Sequence, residues 1–360
     1  MAQTDPGELS AEHRIVFKAQ FGTPISDENL AGIQLAQMPL AGVIFVQLDL
    51  TGANFSGADL RETVFERCKL DGAIFDAALL RGALFNHCSG KGSHWAGTSL
   101  RNAKFNECSL EAALLRGADL NLATFIKTDL GKADVQTSFI DRTSFIDCAL
   151  LGACLDGVTM HSVLFHRCKL DQASMVGISI QLGAFNETPL PARSFAGMDL
   201  MGVQFIGSEL QGTDFSAARL EKCNFHGANL TGTNFKNARA ANALFPEASG
   251  DACDFSGADL RQAIFVKSKW QSSRFDGANL YQTIWTEASL LECSLRNSDL
   301  TYADFSHGNL ERSDLEGAKM FRTKLHKTRD TGARFSDRGR ALETDPVLAK
   351  AEEWPAQPKA

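Results

Sequence analysis

The sequence predicts an all-β solenoid that climbs in square turns. Three observations carry this: a hydrophobic period of five, a small residue at fixed phase beside each large one, and a recurrence at twenty. From Leu30 to Leu325, 57 of the 60 positions spaced five apart are Leu, Phe, Ile, Met, Val or Trp; the exceptions are Gly90, Ala240 and Gly250. A helix repeats at about 3.6 residues and a strand at about 2, so neither sustains this period. A short fixed repeat of such length marks a stack of coils in which each unit borrows its core from its neighbours.

Each element of that coil has its own warrant. Two residues before each large centre stands a small one, as in Ala53, Ala58, Ala73, Ala118, Ala228, Ala258 and Ala278, with Ser, Thr or Cys in most other slots. Both point inward, because a closed interior cannot hold two large side chains per five residues at normal packing density. The other three phases are polar and face out. Cys68, Cys88, Cys108, Cys148 and Cys168 recur at twenty or a multiple of it, as do Arg61, Arg81 and Arg101. Four five-residue sides therefore close one turn. Phe and Leu alternate, and 21 of the 25 Phe share one phase, so two opposite sides carry mainly Phe. The repeat makes about 15 turns, and at the ~4.8 Å strand spacing it predicts a rod roughly 70 Å long.

Segments such as Ala58-Asp59-Leu60-Arg61 and Ala53-Asn54-Phe55-Ser56-Gly57 resemble the A(D/N)LxX consensus of the pentapeptide-repeat family. The resemblance covers residues 28–335 and implies a right-handed quadrilateral β-helix. It constrains function weakly: the family includes DNA mimics that bind type II topoisomerases such as gyrase, bacterial effectors and secretion-linked proteins, and many members whose role is unknown.

The ends of a solenoid expose core and unpaired strand edges and need caps. Residues 1–27 supply one: Ser10 is a fit N-cap for a helix through Ile15, Val16, Phe17 and Ala19, with Gly22 as its stop. Residues 336–360 supply another, since Asp345-Pro346 is a strong helix start. Val347, Ala351 and Trp354 share one face of that helix, which either covers the last turn or pairs two chains into a homodimer. Pro189 and Pro191 interrupt the consensus near 183–195, where a bend rather than a linker is expected because the register is kept. Gly90 and Gly250 leave apparent holes in the core and are expected to be soft points.

Composition narrows the function. The net charge is −7, with 20 acidic and 15 basic residues in 1–180 and 23 and 21 in the rest. No acidic block or basic patch suited to phosphate stands out, so direct nucleic-acid binding is not expected. A DNA mimic would need a continuous acidic stripe, and the column through Asp59, Asp119, Asp199, Asp259 and Asp299 is broken by Leu79, Arg219, Arg239 and Lys319. Eight of the nine cysteines fall at the inward small phase and read as reduced, buried filler, which suits a cytoplasmic bacterial protein. The opening residues are polar and acidic and no run of 18 apolar residues occurs, so neither a signal peptide nor a membrane span is expected. Ser89-Gly90-Lys91-Gly92-Ser93 lacks the spacing of a phosphate-binding loop, and the eight histidines show no ligand spacing. No catalytic residue, metal site or cofactor is predicted. The expected function is a non-enzymatic protein-interaction scaffold or adaptor with an unidentified protein partner; a topoisomerase-binding DNA mimic and a secreted effector or secretion accessory are the alternatives. Arg61, Arg81 and Arg101 are the candidate partner-binding stripe, against the plainer reading of a solvated face neutralised by nearby acids.

Overall fold

The structure, a computed structural model, describes residues 10–26 and 28–353. Among these the chain winds a parallel β-solenoid of about 15 turns with a short helix near each end. It divides into two compact units, residues 1–184 and 185–360.

In the first unit, Ile44–Val46 pairs with Val64–Glu66 in parallel, Phe45 opposite Phe65, and each later strand on this side adds one turn, through Leu164–His166. A second side widens into strands at Ile140–Asp141, Thr159–His161 and Ser179–Gln181, and elsewhere the sides are held by single bridges such as Asp59 to Leu79 and Asn54 to Ile74, twenty residues apart. Amides alternate between turns: Leu50 N–H donates upward to Lys69 O at 2.8 Å and Asn54 N–H downward to Ile33 O at 2.8 Å. The second unit repeats this, with Ser249–Asp251, Lys269–Gln271 and Ser289–Leu291 in register.

Corners explain the glycines. The residue two after each centre turns the chain at positive φ, so Gly57 (φ 64°) sits there without strain, and even Lys127 (φ 47°) adopts it, its own N–H donating to Ile146 O at 2.8 Å.

Two aromatic columns meet across the axis, flanked by buried leucines; in the first unit one of them passes from Phe55, Phe75 and Trp95 to Leu115, Val135 and Leu155. Phe65 and Phe85 stack at 4.8 Å and Phe55 and Phe75 at 5.0 Å, while Phe55 meets Phe65 edge-on at 6.0 Å. In the second unit Phe225, Phe245 and Phe265 form one column and Phe235, Phe255 and Phe275 the other. Ring faces and edges are thus paired in both favourable geometries.

The small inward phase does more than leave room. Where it is Ser, Thr or Cys, its donor in most turns reaches the carbonyl of the residue 23 earlier, one turn below, whereas Ser298 turns to Leu295 O three residues back at 2.7 Å. Thr98 Oγ1 to Phe75 O is 2.7 Å, Thr233 Oγ1 to Leu210 O is 2.9 Å and Cys88 Sγ to Phe65 O is 3.3 Å. These residues replace Ala without leaving a buried polar group unpaired. Before a tryptophan the arrangement changes. Ser93, Ser268 and Thr283 donate to the carbonyl three residues back and accept the indole N–H of Trp95, Trp270 and Trp285 at 2.6, 2.8 and 2.9 Å.

The expectation of soft points at Gly90 and Gly250 is corrected. A Cβ at Gly250 would lie 2.5 Å from Cys253 Sγ and 2.8 Å from Trp270 Cζ3, so Trp270 from the next turn fills the place. A Cβ at Gly90 would lie 3.0 Å from Leu110 Cδ2. Neither site is a void.

Helix α1, Ala11–Gln20, is capped by Ser10 Oγ, which accepts from His13 N at 3.4 Å, and Gly22 (φ 64°) follows it. It buries Ile15 and is tied down by Lys18 Nζ to Glu28 Oε1 at 2.6 Å. Helix α2, Pro346–Glu352, has Asp345 as N-cap, with Oδ1 accepting from Val347 N at 2.8 Å. Val347 is 78% exposed and Ala351 is exposed, so the face read from the sequence does not cover the last turn; Trp354 lies outside the described residues. Polar groups hold α2 instead, as described next.

Candidate functional site

The arginine stripe is largely neutralised. Arg61 forks onto its own Asp59, Nε to Oδ1 at 2.8 Å and Nη2 to Oδ2 at 2.6 Å, and this hydrogen bond holds the Asp59 carboxyl below its usual range. Arg101 lies 3.6 Å from Asp119. Arg81 is exposed and makes no ion pair among the described residues. The three side chains share a column but only one is left for a ligand.

The acidic column is neutralised in the same way. In the first unit Asp59 and Asp119 carry these two arginines. In the second, Asp199 carries Arg219, Asp259 carries Arg261 and Asp299 carries Lys319.

A cleft of about 390 Å³ on the first unit holds Asp141 and His161, with Oδ1 and Nδ1 2.7 Å apart, beside Phe139, which is 63% exposed. The Ser138 hydroxyl lines the same cleft but is turned inward, donating to Leu115 O at 2.6 Å. Arg142 takes the other carboxylate oxygen of Asp141 at 3.0 Å. The carboxylate is thus committed to two neighbours along the wall.

The C-terminal end of the second unit gathers groups the periodicity did not. His307 Nε2 lies 3.1 Å from Glu352 Oε1 and His326 Nε2 lies 3.2 Å from Glu352 Oε2. Their ligand atoms all fall within 4.8 Å, the only such histidine–carboxylate set among the described residues. Its bonding is that of a latch. The His326 Nδ1 accepts from Asp345 N at 3.1 Å, which puts the ring proton on Nε2, the atom a metal would need bare. Metal-bound histidines have the reverse arrangement, donating from the second nitrogen. Lys327 Nζ, 3.0 Å from Glu352 Oε2, already stands where a cation would. The hydrogen bond from Lys327 leads the interactions that hold the Glu352 carboxyl down at about 2. Lys327 also donates to Ala349 O at 3.2 Å. Between α2 and the last turn runs a groove of about 610 Å³ lined by Lys324, His326, Leu342, Val347 and Leu348.

Beside this latch the charge is unlike the rest of the chain. Residues 319–340 hold eight Lys and Arg against two Asp, a local excess that half-chain totals conceal. On the adjacent corner Tyr281, Tyr302 and Phe321 pack edge to face at 5.8 and 5.7 Å, and Arg340 Cζ lies 5.3 Å from the Phe321 ring centre.

Sequence profiles of one family match most of this solenoid. One, described as a pentapeptide repeat region, matches residues 39–115 and 198–269; another, described as pentapeptide repeats in eight copies, matches 98–139, 273–312 and 298–337. The chain belongs to the pentapeptide-repeat family. No curated protein matches it. Among solved structures it is similar to QnrB1, a plasmid-mediated fluoroquinolone resistance protein, at 18% identity over 58% of this chain and 84% of that one, with a TM-score of 0.35. It is also similar to HetL from the cyanobacterium Nostoc, involved in heterocyst differentiation regulation, at 19% identity over 92% and 93%, with a TM-score of 0.15. A thylakoid-lumen pentapeptide-repeat protein from Arabidopsis thaliana matches at 26% identity over 30% and 68%, with a TM-score of 0.22. No helix among the described residues is long and apolar enough to cross a membrane.

Proposed function

We propose that the protein is a non-enzymatic scaffold that binds another protein through its outer walls. One observation carries the reading. Among the described residues the inward phases are filled from turn to turn by stacked rings, aliphatic side chains and hydroxyls bonded to backbone carbonyls, whereas the outer side chains stand in rows fixed by backbone pairing. Rigid rows of this kind suit recognition of an extended surface, because little side-chain and backbone freedom is lost on binding. The pairing of every aspartate in the acidic column with a cation weighs against a DNA mimic, since exposed carboxylates would have to stand in for phosphates at one charge per ~1.7 Å.

The test is affinity capture on the purified full-length chain at low and high salt, followed by titration of the recovered protein in isolation. Saturable binding of one purified protein supports the reading. Failure to recover any protein that rebinds in purified form overturns it, whereas inhibition of gyrase supercoiling by the chain would make a topoisomerase the partner and restore the DNA-mimic alternative.

A further inference from the structure

Four of the 25 phenylalanines fall outside the inward phase, and the chain has only two tyrosines. Both tyrosines and one of those phenylalanines meet at one corner of the C-terminal unit. Tyr281 packs edge-on to Tyr302 at 5.8 Å, and Tyr302 to Phe321 at 5.7 Å. The backbone ladder fixes their order: Tyr302 N–H donates to Phe321 O at 3.0 Å and Arg322 N–H to Arg340 O at 2.9 Å. Tyr302 and Phe321 are each 41% exposed, so the row is a surface. Water gains nothing from such rings, and clustered aromatics with arginine are what protein-binding surfaces are enriched in.

Charge selects the partner. Of the eight cations between 319 and 340, Lys319, Lys324, Lys327, Arg334, Arg338 and Arg340 already lie within 4 Å of a carboxylate. Arg340 is held loosely, 3.8 Å from Asp337, with its guanidinium over Phe321. Arg322 is exposed at the end of the aromatic row and makes no ion pair among the described residues. A nucleic acid needs a run of unpaired cations to replace its counterions. This corner offers one free guanidinium and one weakly held, which matches a polypeptide bearing a few carboxylates.

We propose that this corner binds a short acidic segment of another protein, with apolar side chains of the segment on Tyr302 and Phe321 and its carboxylates on Arg322 and Arg340. The proposal rests on the scaffold reading and gives it a place and a partner chemistry.

The test is selection of a random-peptide phage library on the full-length chain, then titration of a labelled copy of the enriched peptide. The expected consensus combines Asp or Glu with Leu, Pro or an aromatic residue. Affinity should fall at least ~10-fold in Arg322→Glu and in the Tyr302→Ala/Phe321→Ala double variant, the loss of one well-placed interaction. A peptide with Glu changed to Lys should recover binding to Arg322→Glu. Melting curves check that the variants fold; if the double variant does not, Arg322→Glu and the reversed peptide decide alone. No enrichment, a basic consensus, binding indifferent to these changes, or tighter binding of labelled oligothymidylate at the same salt overturns the proposal. If a captured partner binds wild type and Arg322→Glu alike, this corner is excluded while the scaffold reading stands.

Discussion

Trp270 occupies the space that a side chain at Gly250 would need, its Cζ3 atom 2.8 Å from where a Cβ would stand. The two are one turn apart in the same column, so a missing side chain in one storey is matched by an oversized one in the next. Gly250→Ala should therefore destabilise the protein by about 1–3 kcal/mol through overpacking, with a methyl group pressed on Trp270 and Cys253. The midpoint of urea unfolding measures this, and a rise in that midpoint would mean the site is a void after all.

The indole bonds give a second prediction. Ser268→Ala removes the acceptor of the Trp270 N–H and should cost about 1–3 kcal/mol, the penalty of a buried donor left unpaired. Ser268→Thr should retain most of the stability, as Thr283 does beside Trp285. Equal stability of the alanine and threonine variants in denaturant titrations would refute the role given to the hydroxyl.

Docking of α2 should depend on acid. Glu352 titrates at about 2 in the folded chain against an ordinary 4.5. The folded value is the lower one, so the contribution is present in full above 4.5 and is lost as pH falls from there through about 2. Amide protection across Val347–Glu352 should fall over that window and be flat in Glu352→Gln. Protection that drops equally in both proteins would place the acid response elsewhere.

Thiol reactivity should separate one cysteine from the other eight. Burial pushes Cys223, Cys253 and Cys293 up to about 12, whereas Cys154 is half-buried on the outer wall beside Gln136. Ellman's reagent at mildly alkaline pH should modify Cys154 first and the remaining eight only on unfolding, because burial keeps the reagent from their sulfurs. Fast modification of Cys154→Ser would contradict the burial of the others.

The parts of this molecule visible in its sequence are those the period of twenty carries. The phenylalanine columns, the small inward phase and the cysteine positions could be read because each turn repeats them. The C-terminal cluster could not. His307 and His326 are 19 apart and Glu352 sits on a helix outside the repeat, so no single period relates them. The aromatic corner was hidden for a similar reason. Tyr281 and Tyr302 differ by 21 and Tyr302 and Phe321 by 19, because two consecutive residues project outward at each corner and either can meet its neighbour above. A search at twenty alone misses such pairs; one allowing a step of one at the corners finds them. Partner choice within the walls was equally hidden, since Arg61 turns to its own Asp59 while Arg101 reaches up to Asp119.

The backbone register also governs how such a chain tolerates change in length. Bridges pair residues twenty apart until Lys324 meets Leu342, where the offset drops to 18 and the regular coil stops. Duplicating sixty nucleotides in frame would add a storey and leave every downstream neighbour facing the same compass direction. Duplicating fifteen would preserve the greasy interior equally well yet swing everything after it by a quarter rotation, carrying Tyr302 and Arg322 to another side. Lineages of this fold can thus lengthen freely by whole storeys, whereas a single added side re-addresses the surface.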